Sequence, residues 1–238
     1  MRDVTPNLRV GAYYVAGAVL LALLAGAGRP WGAFLTWPAL SFAVAAIGYF
    51  GAGPAIYRKK DGRLPLTTRV IMAPMLLLQD LSLRYYRRQC RPWDEAMPGL
   101  LMGRLLDGRE AGDLLARGVT AVLDLTAEFS EAELLRGTAY CNLPILDLTA
   151  PTIFQLRSAV AFIREQSEKG VVYVHCKIGY SRTAAVVGAY LVAAGQARDA
   201  DEAMARMREA RPPMIIRSEA VAALRGFHQA LENQSPYS

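Results

Sequence analysis

Cys176 and Arg182 sit six positions apart in the run Val171-Val-Tyr-Val-His-Cys-Lys-Ile-Gly-Tyr-Ser-Arg-Thr183. The apolar, β-branched start reads as a buried strand ending at His175, and Thr183-Ala-Ala-Val-Val reads as the opening of a helix. A loop of Cys176, Lys177, Ile178, Gly179, Tyr180, Ser181 and Arg182 between them makes backbone N–H groups converge. Such a nest takes a tetrahedral oxyanion, and the helix N-terminus adds positive potential. The same field favours the thiolate of Cys176, a nucleophile at neutral pH. Arg182 can hold two anion oxygens through its planar fork, a geometry lysine does not match. Gly179 lets the backbone approach the anion closely. Thr183 can donate its hydroxyl to the sulfur and make it a better leaving group. His175 is read as shaping the loop by hydrogen bonding rather than as a base. Lys177 is either a solvated surface charge or, the preferred reading, added positive potential at the pocket mouth.

Displacement at phosphorus by a thiolate needs an acid for the leaving oxygen and then a base for water. Asp147, in Leu143-Pro-Ile-Leu-Asp-Leu-Thr-Ala-Pro151, lies 29 residues before Cys176, between a predicted strand and a helix from Thr152. Its plain alternative is a turn or capping aspartate. Asp124, in Val122-Leu-Asp-Leu-Thr126, is the rival, at the end of an earlier predicted strand. The covalent route calls for no metal and no cofactor. Cys90 and Cys141 are read as inert thiols, since three scattered cysteines make neither a disulfide framework nor a zinc site.

The His-Cys-x-x-Gly-x-x-Arg-Thr string resembles the signature of the cysteine-dependent protein tyrosine phosphatase superfamily. The spacing of Asp147 is similar to that of the acid-bearing loop in its dual-specificity members. Trp93-Asp-Glu, Pro98-Gly-Leu-Leu-Met-Gly103, Leu143-Pro-Ile-Leu-Asp147, the signature and Ala210-Arg-Pro-Pro-Met-Ile-Ile-Arg217 follow one another as in one branch. That branch is the mitochondrial-type dual-specificity phosphatases that act on phosphatidylglycerophosphate, and the resemblance covers residues 93–230. The family loop usually carries a small or basic residue where this chain has Ile178 and Tyr180. The resemblance implies Cys176, Arg182, Asp147 and Thr183 as catalytic residues, with Lys177 to Arg182 cradling the phosphate.

The elements that must position these groups alternate. Leu100–Met102, Val119–Leu123, Ala139–Leu143 and Val171–His175 read as strands. Glu110–Arg117, Thr152–Ser167, Arg182–Ala194, Asp199–Ala210 and Ser218–Leu231 read as helices. The pattern predicts an α/β domain over residues 93–238, a mostly parallel sheet flanked by helices, as in dual-specificity phosphatases.

The first part of the chain is different. Residues 1–98 hold 12 Lys/Arg against 5 Asp/Glu, whereas residues 99–238 hold 15 against 16. Val10–Gly28 and Trp31–Tyr57 are uncharged runs of 19 and 27 residues, each long enough to cross a bilayer. With only Arg29 and Pro30 between them they predict a two-helix transmembrane hairpin, residues 1–60. The bland alternative is a cleaved signal peptide over residues 1–28. Arg2 and Arg9 precede the spans and Arg58, Lys59, Lys60, Arg63 and Arg69 follow them, which places both ends in the cytoplasm. Residues 61–92 combine the short apolar Val70–Leu78, broken by Pro74, with Arg84, Arg87, Arg88 and Arg91. They read as a basic segment along the inner leaflet, or else as a linker helix packed on the next domain. Basic residues interleaved with long apolar runs disfavour a nucleic-acid binder.

The expected function is a membrane-anchored phosphatase of a phospholipid monoester such as phosphatidylglycerophosphate. The alternatives are a phosphoprotein phosphatase at the membrane and a silent phosphate-binding adaptor, the latter opposed by the presence of both Cys176 and Arg182. Arg outnumbers Lys 23 to 4, and with no presequence this points to a bacterial inner membrane.

Overall fold

The computed structural model describes residues 5–28 and 31–233; Arg2, Arg29 and Pro30, used above for orientation and turn, lie outside them. Helix α1 (Leu8–Ala27) starts at Asn7, whose side chain accepts from the Val10 N–H. The second apolar stretch is mostly helical but is kinked at Gly51, whose φ of +137° is non-helical. A 3-10 turn (Trp31–Leu35) leads into α2 (Thr36–Ile47), then a wide turn (Gly48–Ala52) and a further 3-10 turn (Gly53–Tyr57). The two stretches are each long and apolar enough to cross a membrane, and they lie side by side. Tyr14 of α1 stacks on Tyr49 and meets Phe42 edge-on, with ring centroids 5.3 and 5.6 Å apart. The outer faces stay bare: Trp31, Phe34 and Leu23 are all more than two-thirds exposed.

The far end of the second stretch is not bare. Ala45, Tyr49 and Tyr57 are buried with Leu64, Met72, Met75, Ala127 and Leu146 in a cluster that joins the apolar hairpin to the rest of the chain. Between them run α3 (Leu66–Ile71) and α4 (Ala73–Arg87). The break falls at Met72 rather than at Pro74, which sits in the first turn of α4, where a missing N–H costs nothing. Helix α4 is two-faced: Met75, Gln79 and Leu83 are buried, while Leu77, Leu78, Leu81 and Tyr85 are exposed. The buried face matches the reading of a helix packed on the next domain. The arginines are less free than expected. Arg87 is paired with Asp107 and Glu110, Arg84 with Asp80 and Arg91 with Asp94.

The remainder is a five-stranded sheet in the order β1-β2-β5-β3-β4. β2 (Leu100–Arg104), β3 (Val119–Thr126), β4 (Ala139–Ile145) and β5 (Val171–Cys176) are parallel. β1 (Trp93–Met97) is antiparallel to β2 across a Pro98–Gly99 turn in which Gly99 has φ +82°. The α/β expectation is met. β1 escapes the sequence reading because Asp94 and Glu95 interrupt any apolar run on this half-buried edge strand. Helices α5 (Gly108–Leu115), α6 (Glu133–Arg136), α7 (Ile153–Ser167), α8 (Ser181–Ala193), α9 (Ala200–Ala210) and α10 (Ser218–Glu232) complete the domain. Helix α8 is buried over ten of its thirteen residues and, with Leu156, Met207 and Leu224 from its neighbours, forms the main core. Reciprocal bonds between Thr152 and Gln155 start α7 where the sequence places it.

Candidate active site

Strand β5 is central, flanked by β2 and β3, and register puts Gly103 of β2 and Asp124 of β3 beside His175. The loop from Cys176 therefore leaves the carboxyl end of the sheet at its middle, the usual place for a ligand in open α/β sheets. Cys176 is buried, and its sulfur accepts from the Gly179 N–H at 3.3 Å. Burial alone would push the thiol up. The Arg182 charge, the Thr183 hydroxyl and the Thr183 and Tyr180 N–H groups outweigh it and hold the thiol below its ordinary value. Gly179 has φ +76°, and a Cβ there would lie 2.4 Å from the Gly103 backbone. Close packing of loop on strand thus demands the glycine, in addition to any approach of an anion.

Arg182 is held on several sides. Its two terminal nitrogens bind Glu128 at 2.8 and 3.1 Å, one also donates to the Ile145 carbonyl, and the other meets Asp147 at 3.2 Å. Burial would favour the neutral guanidine, but Glu128 and Asp147 keep Arg182 firmly charged. Glu128, fully buried two residues after β3, was missed in the sequence, where nothing local marks it as a partner of a residue 54 positions away.

Asp147 is brought to the pocket and Asp124 is not. Burial would raise the Asp147 carboxyl, yet Arg182 and Lys177 hold it below the usual carboxylate range. Its loop is strained and clamped. Leu148 has φ +60°, a left-handed conformation unusual for a branched residue, and its carbonyl accepts from the Asn7 side chain just before α1. Tyr49 donates to the Asp147 carbonyl at 2.9 Å, and Thr5 donates to that of Ala150. The apolar hairpin thus holds the Asp147 loop, a contact that no local pattern announces.

Asp124 instead lies in a closed network. Its carboxylate takes Lys59 Nζ at 2.5 Å, the Tyr140 hydroxyl and the Thr126 N–H and hydroxyl. Burial would raise it, but Lys59 and His175 hold it low. The rival aspartate is thus enclosed, paired with Lys59 and absent from the cavity lining. Lys59, one of the basic residues that follow the second span, is only 1% exposed at the side chain. His175 Nε2 lies 2.7 Å from Glu131 Oε2. Burial would lower the imidazole, but the Glu131 and Asp124 charges raise it to about 9. This fits the loop-shaping reading. Asp124, Glu131 and His175 form a donor cluster of a kind that can hold a cation, but the Lys59 ammonium already supplies the positive charge there.

Lys177 is buried rather than solvated. Its ammonium binds Gln79 of α4 at 2.5 Å and approaches Asp147 Oδ2 at 3.4 Å. Ser181 ties α8 to the segment before α10, donating to the Ile215 carbonyl and accepting from the Arg217 N–H. Tyr180 meets Tyr86 edge-on and lies under the guanidinium of Arg211, which is itself buried and bonded to Asp94 and the Ile178 carbonyl. Thr183 is fully buried beside the thiol. Cys90 and Cys141 are free cysteines whose thiols burial pushes up.

Of these groups, Cys176, Lys177, Tyr180, Ser181, Arg182, Asp147 and Gln79 line one cavity of about 420 Å³. Cys176, Lys177, Arg182 and Asp147 form its floor. Its other wall comes from the apolar helices: Tyr14 of α1, Phe42 of α2, and Met75 and Leu78 of α4.

Residues 113–230 match the family model for the dual specificity phosphatase catalytic domain. Human phosphatidylglycerophosphatase and protein-tyrosine phosphatase 1 is 30% identical over 175 residues, covering 68% of this chain and 87% of that protein. The Arabidopsis thaliana phosphatidylglycerophosphate phosphatase PTPMT2 is 28% identical, covering 71% and 75%. Mouse dual specificity protein phosphatase 12 is 36% identical over 106 residues, but this chain spans only 31% of its length. The crystal structure of PTPMT1 superposes with a TM-score of 0.53 at 25% identity, covering 60% of this chain and 98% of that one. The chain belongs to the dual-specificity phosphatases of the protein tyrosine phosphatase superfamily.

Proposed function

We propose that this protein is a membrane-anchored phosphatase that hydrolyses the phosphomonoester of a phospholipid, with phosphatidylglycerophosphate the preferred candidate. The cavity carries the reading. One side offers a thiolate and a guanidinium for a phosphate, and the other is an apolar wall to which the two helical stretches long enough to cross a bilayer contribute Tyr14 and Phe42. A phosphoseryl or phosphothreonyl side chain leaves such a wall uncovered, whereas the first acyl carbons of a lipid cover it. The phosphatidylglycerophosphate phosphatases among the relatives support the same choice.

In the proposed reaction the phosphate enters between Cys176 and Arg182 and replaces Asp147 as a partner of the guanidinium. Deprived of that cation and set beside a phosphate anion, the Asp147 carboxylate takes up a proton. The thiolate attacks phosphorus, an S–P bond forms, the P–O bond to the lipid breaks, and Asp147 gives its proton to the departing oxygen. Asp147 then accepts a proton from water as that water attacks phosphorus, inorganic phosphate leaves, and the thiolate returns. Glu128 holds Arg182 in plane for the trigonal transition state, and Thr183 stabilises the leaving thiolate. Basic residues on both flanks of the spans support a cytoplasmic catalytic domain. We take residues 1–60 as anchor, 61–92 as the interfacial segment and 93–238 as the catalytic domain.

The test compares the full-length protein on phosphatidylglycerophosphate in mixed micelles and on a phosphotyrosyl peptide. A kcat/KM at least about tenfold higher on the lipid is expected, the equivalent of about 1.4 kcal/mol of transition-state binding. Preference for the peptide would overturn the lipid reading and favour a phosphoprotein phosphatase at the membrane.

A further inference from the structure

Gln79 is an uncharged residue of α4, 7% exposed, inserted into the cavity beside the catalytic loop. Its Oε1 accepts from Lys177 Nζ at 2.5 Å, while the same ammonium stands 3.4 Å from Asp147 Oδ2. The cation therefore has its short bond to a neutral amide and its long contact to the carboxylate. A free choice would reverse that order, because bonds from an ammonium to a charged acceptor are the stronger ones. We propose that Gln79 is a positioning residue for the acid step, holding Lys177 back from Asp147 so that the carboxyl can be reprotonated in each turnover. This role rests on the assignment of Asp147 as the acid.

Several other groups face Asp147, and they remain in place when Gln79 is changed. Arg182 and the Cys176 thiolate come from the catalytic loop, with Glu128 behind Arg182. The Leu148 N–H donates to its carboxylate and the Tyr49 hydroxyl to its backbone carbonyl. Tyr14 from α1, and Arg217 and Glu219 at the start of α10, line the same cavity. Against this constant background, residue 79 controls one variable, the Lys177–Asp147 distance. An apolar side chain there releases the ammonium to close on Asp147 and favours the carboxylate further. A glutamate draws the ammonium away and adds negative charge nearby, favouring the protonated form.

The test uses full-length protein in detergent and follows kcat against pH on phosphatidylglycerophosphate and on p-nitrophenyl phosphate, for wild type, Gln79→Leu, Gln79→Glu and Asp147→Asn. On the lipid, the basic limb of the profile should vanish in Asp147→Asn. It should move to lower pH in Gln79→Leu and to higher pH in Gln79→Glu, each by about half a pH unit or more, a threefold change in rate on that limb. On the aryl ester, whose leaving group needs little protonation, both changes should be much smaller. A purely structural role would move the two variants in the same direction or lower kcat without moving the limb, and either result overturns the proposal. Should Gln79→Leu fail to fold, Gln79→Met, which keeps the length of the side chain but cannot hold the ammonium, replaces it with the same expected downward shift. A basic limb that survives Asp147→Asn would instead remove Asp147 as the acid, and the role of Gln79 with it.

Discussion

The proposed reaction needs Cys176 and Asp147 in opposite proton states, yet the same cation acts on both. Arg182 favours the thiolate and, before substrate binds, the carboxylate. Cys176→Ser is expected to lose turnover below about 1% of wild type while still binding orthovanadate, because the loop N–H groups and Arg182 remain; residual phosphatase assays with vanadate titration check this. Asp147→Asn is expected to slow phosphatidylglycerophosphate by about 10²–10⁴-fold but p-nitrophenyl phosphate far less, measured as the ratio of the two kcat values. If Asp147 has no such role, both substrates will lose equally. His175 gives a third prediction. Its folded value of about 9 stands above the ordinary 6.5, so between those values the folded state binds more protons than the unfolded one. Its stabilising contribution is complete below pH 6.5 and is lost as pH rises towards 9. Thermal midpoints should fall across that window, and His175→Gln should flatten the fall at a lower overall stability.

At the scale of elements, the finding of most consequence is how the apolar helices enter the phosphatase domain. Lys59, just past the second apolar stretch, is sealed against Asp124 at the end of β3, and Asn7, just before α1, clamps the loop of Asp147. Removing one partner of a buried pair leaves an uncompensated charge. Lys59→Met should therefore destabilise the full-length protein by about 3–5 kcal/mol in chemical denaturation, and Lys59→Met/Asp124→Asn should recover a large part of it. Equal stability of Lys59→Met and wild type would mean that the pair contributes nothing. Cutting the chain at residue 92 would remove Lys59, Asn7 and Gln79 together, so a truncated domain is not a neutral reference for activity. The sequence could not have indicated this. Lys59 stands in a basic run that reads naturally as an inside-facing flank, and only the fold brings it to a carboxylate 65 residues away.

At the scale of the whole molecule, large apolar side chains are exposed on α1, on α2 and on the outer side of α4, and the same three helices line part of the cavity. Leu77 and Leu81 are among those exposed side chains and do not line the cavity. Leu77→Glu/Leu81→Glu should lower turnover of phosphatidylglycerophosphate in liposomes by about tenfold or more, since two carboxylates would be driven against the headgroup region, and leave p-nitrophenyl phosphate turnover within about twofold. Unchanged turnover on liposomes would show that α4 does not rest on the bilayer.

What could be read from the residues alone was whatever depends on short spacings. The strand–loop–helix around Cys176 and Arg182, the capped start of α7, the strands and the two apolar stretches are each specified within one continuous run of residues, because hydrophobic period, caps and turn residues are local. The order of motifs was enough to recognise the family. Pairings across the chain were decided only by the tertiary structure. Glu128 binds Arg182, Gln79 binds Lys177, and Lys59 rather than solvent pairs with Asp124, whereas Asp147 lines the cavity. These are bonds between elements, formed because a buried charge must find a partner wherever the packed chain brings one. No periodicity records such partners. The fold chooses them, and in choosing them it makes the apolar helices one wall of the site.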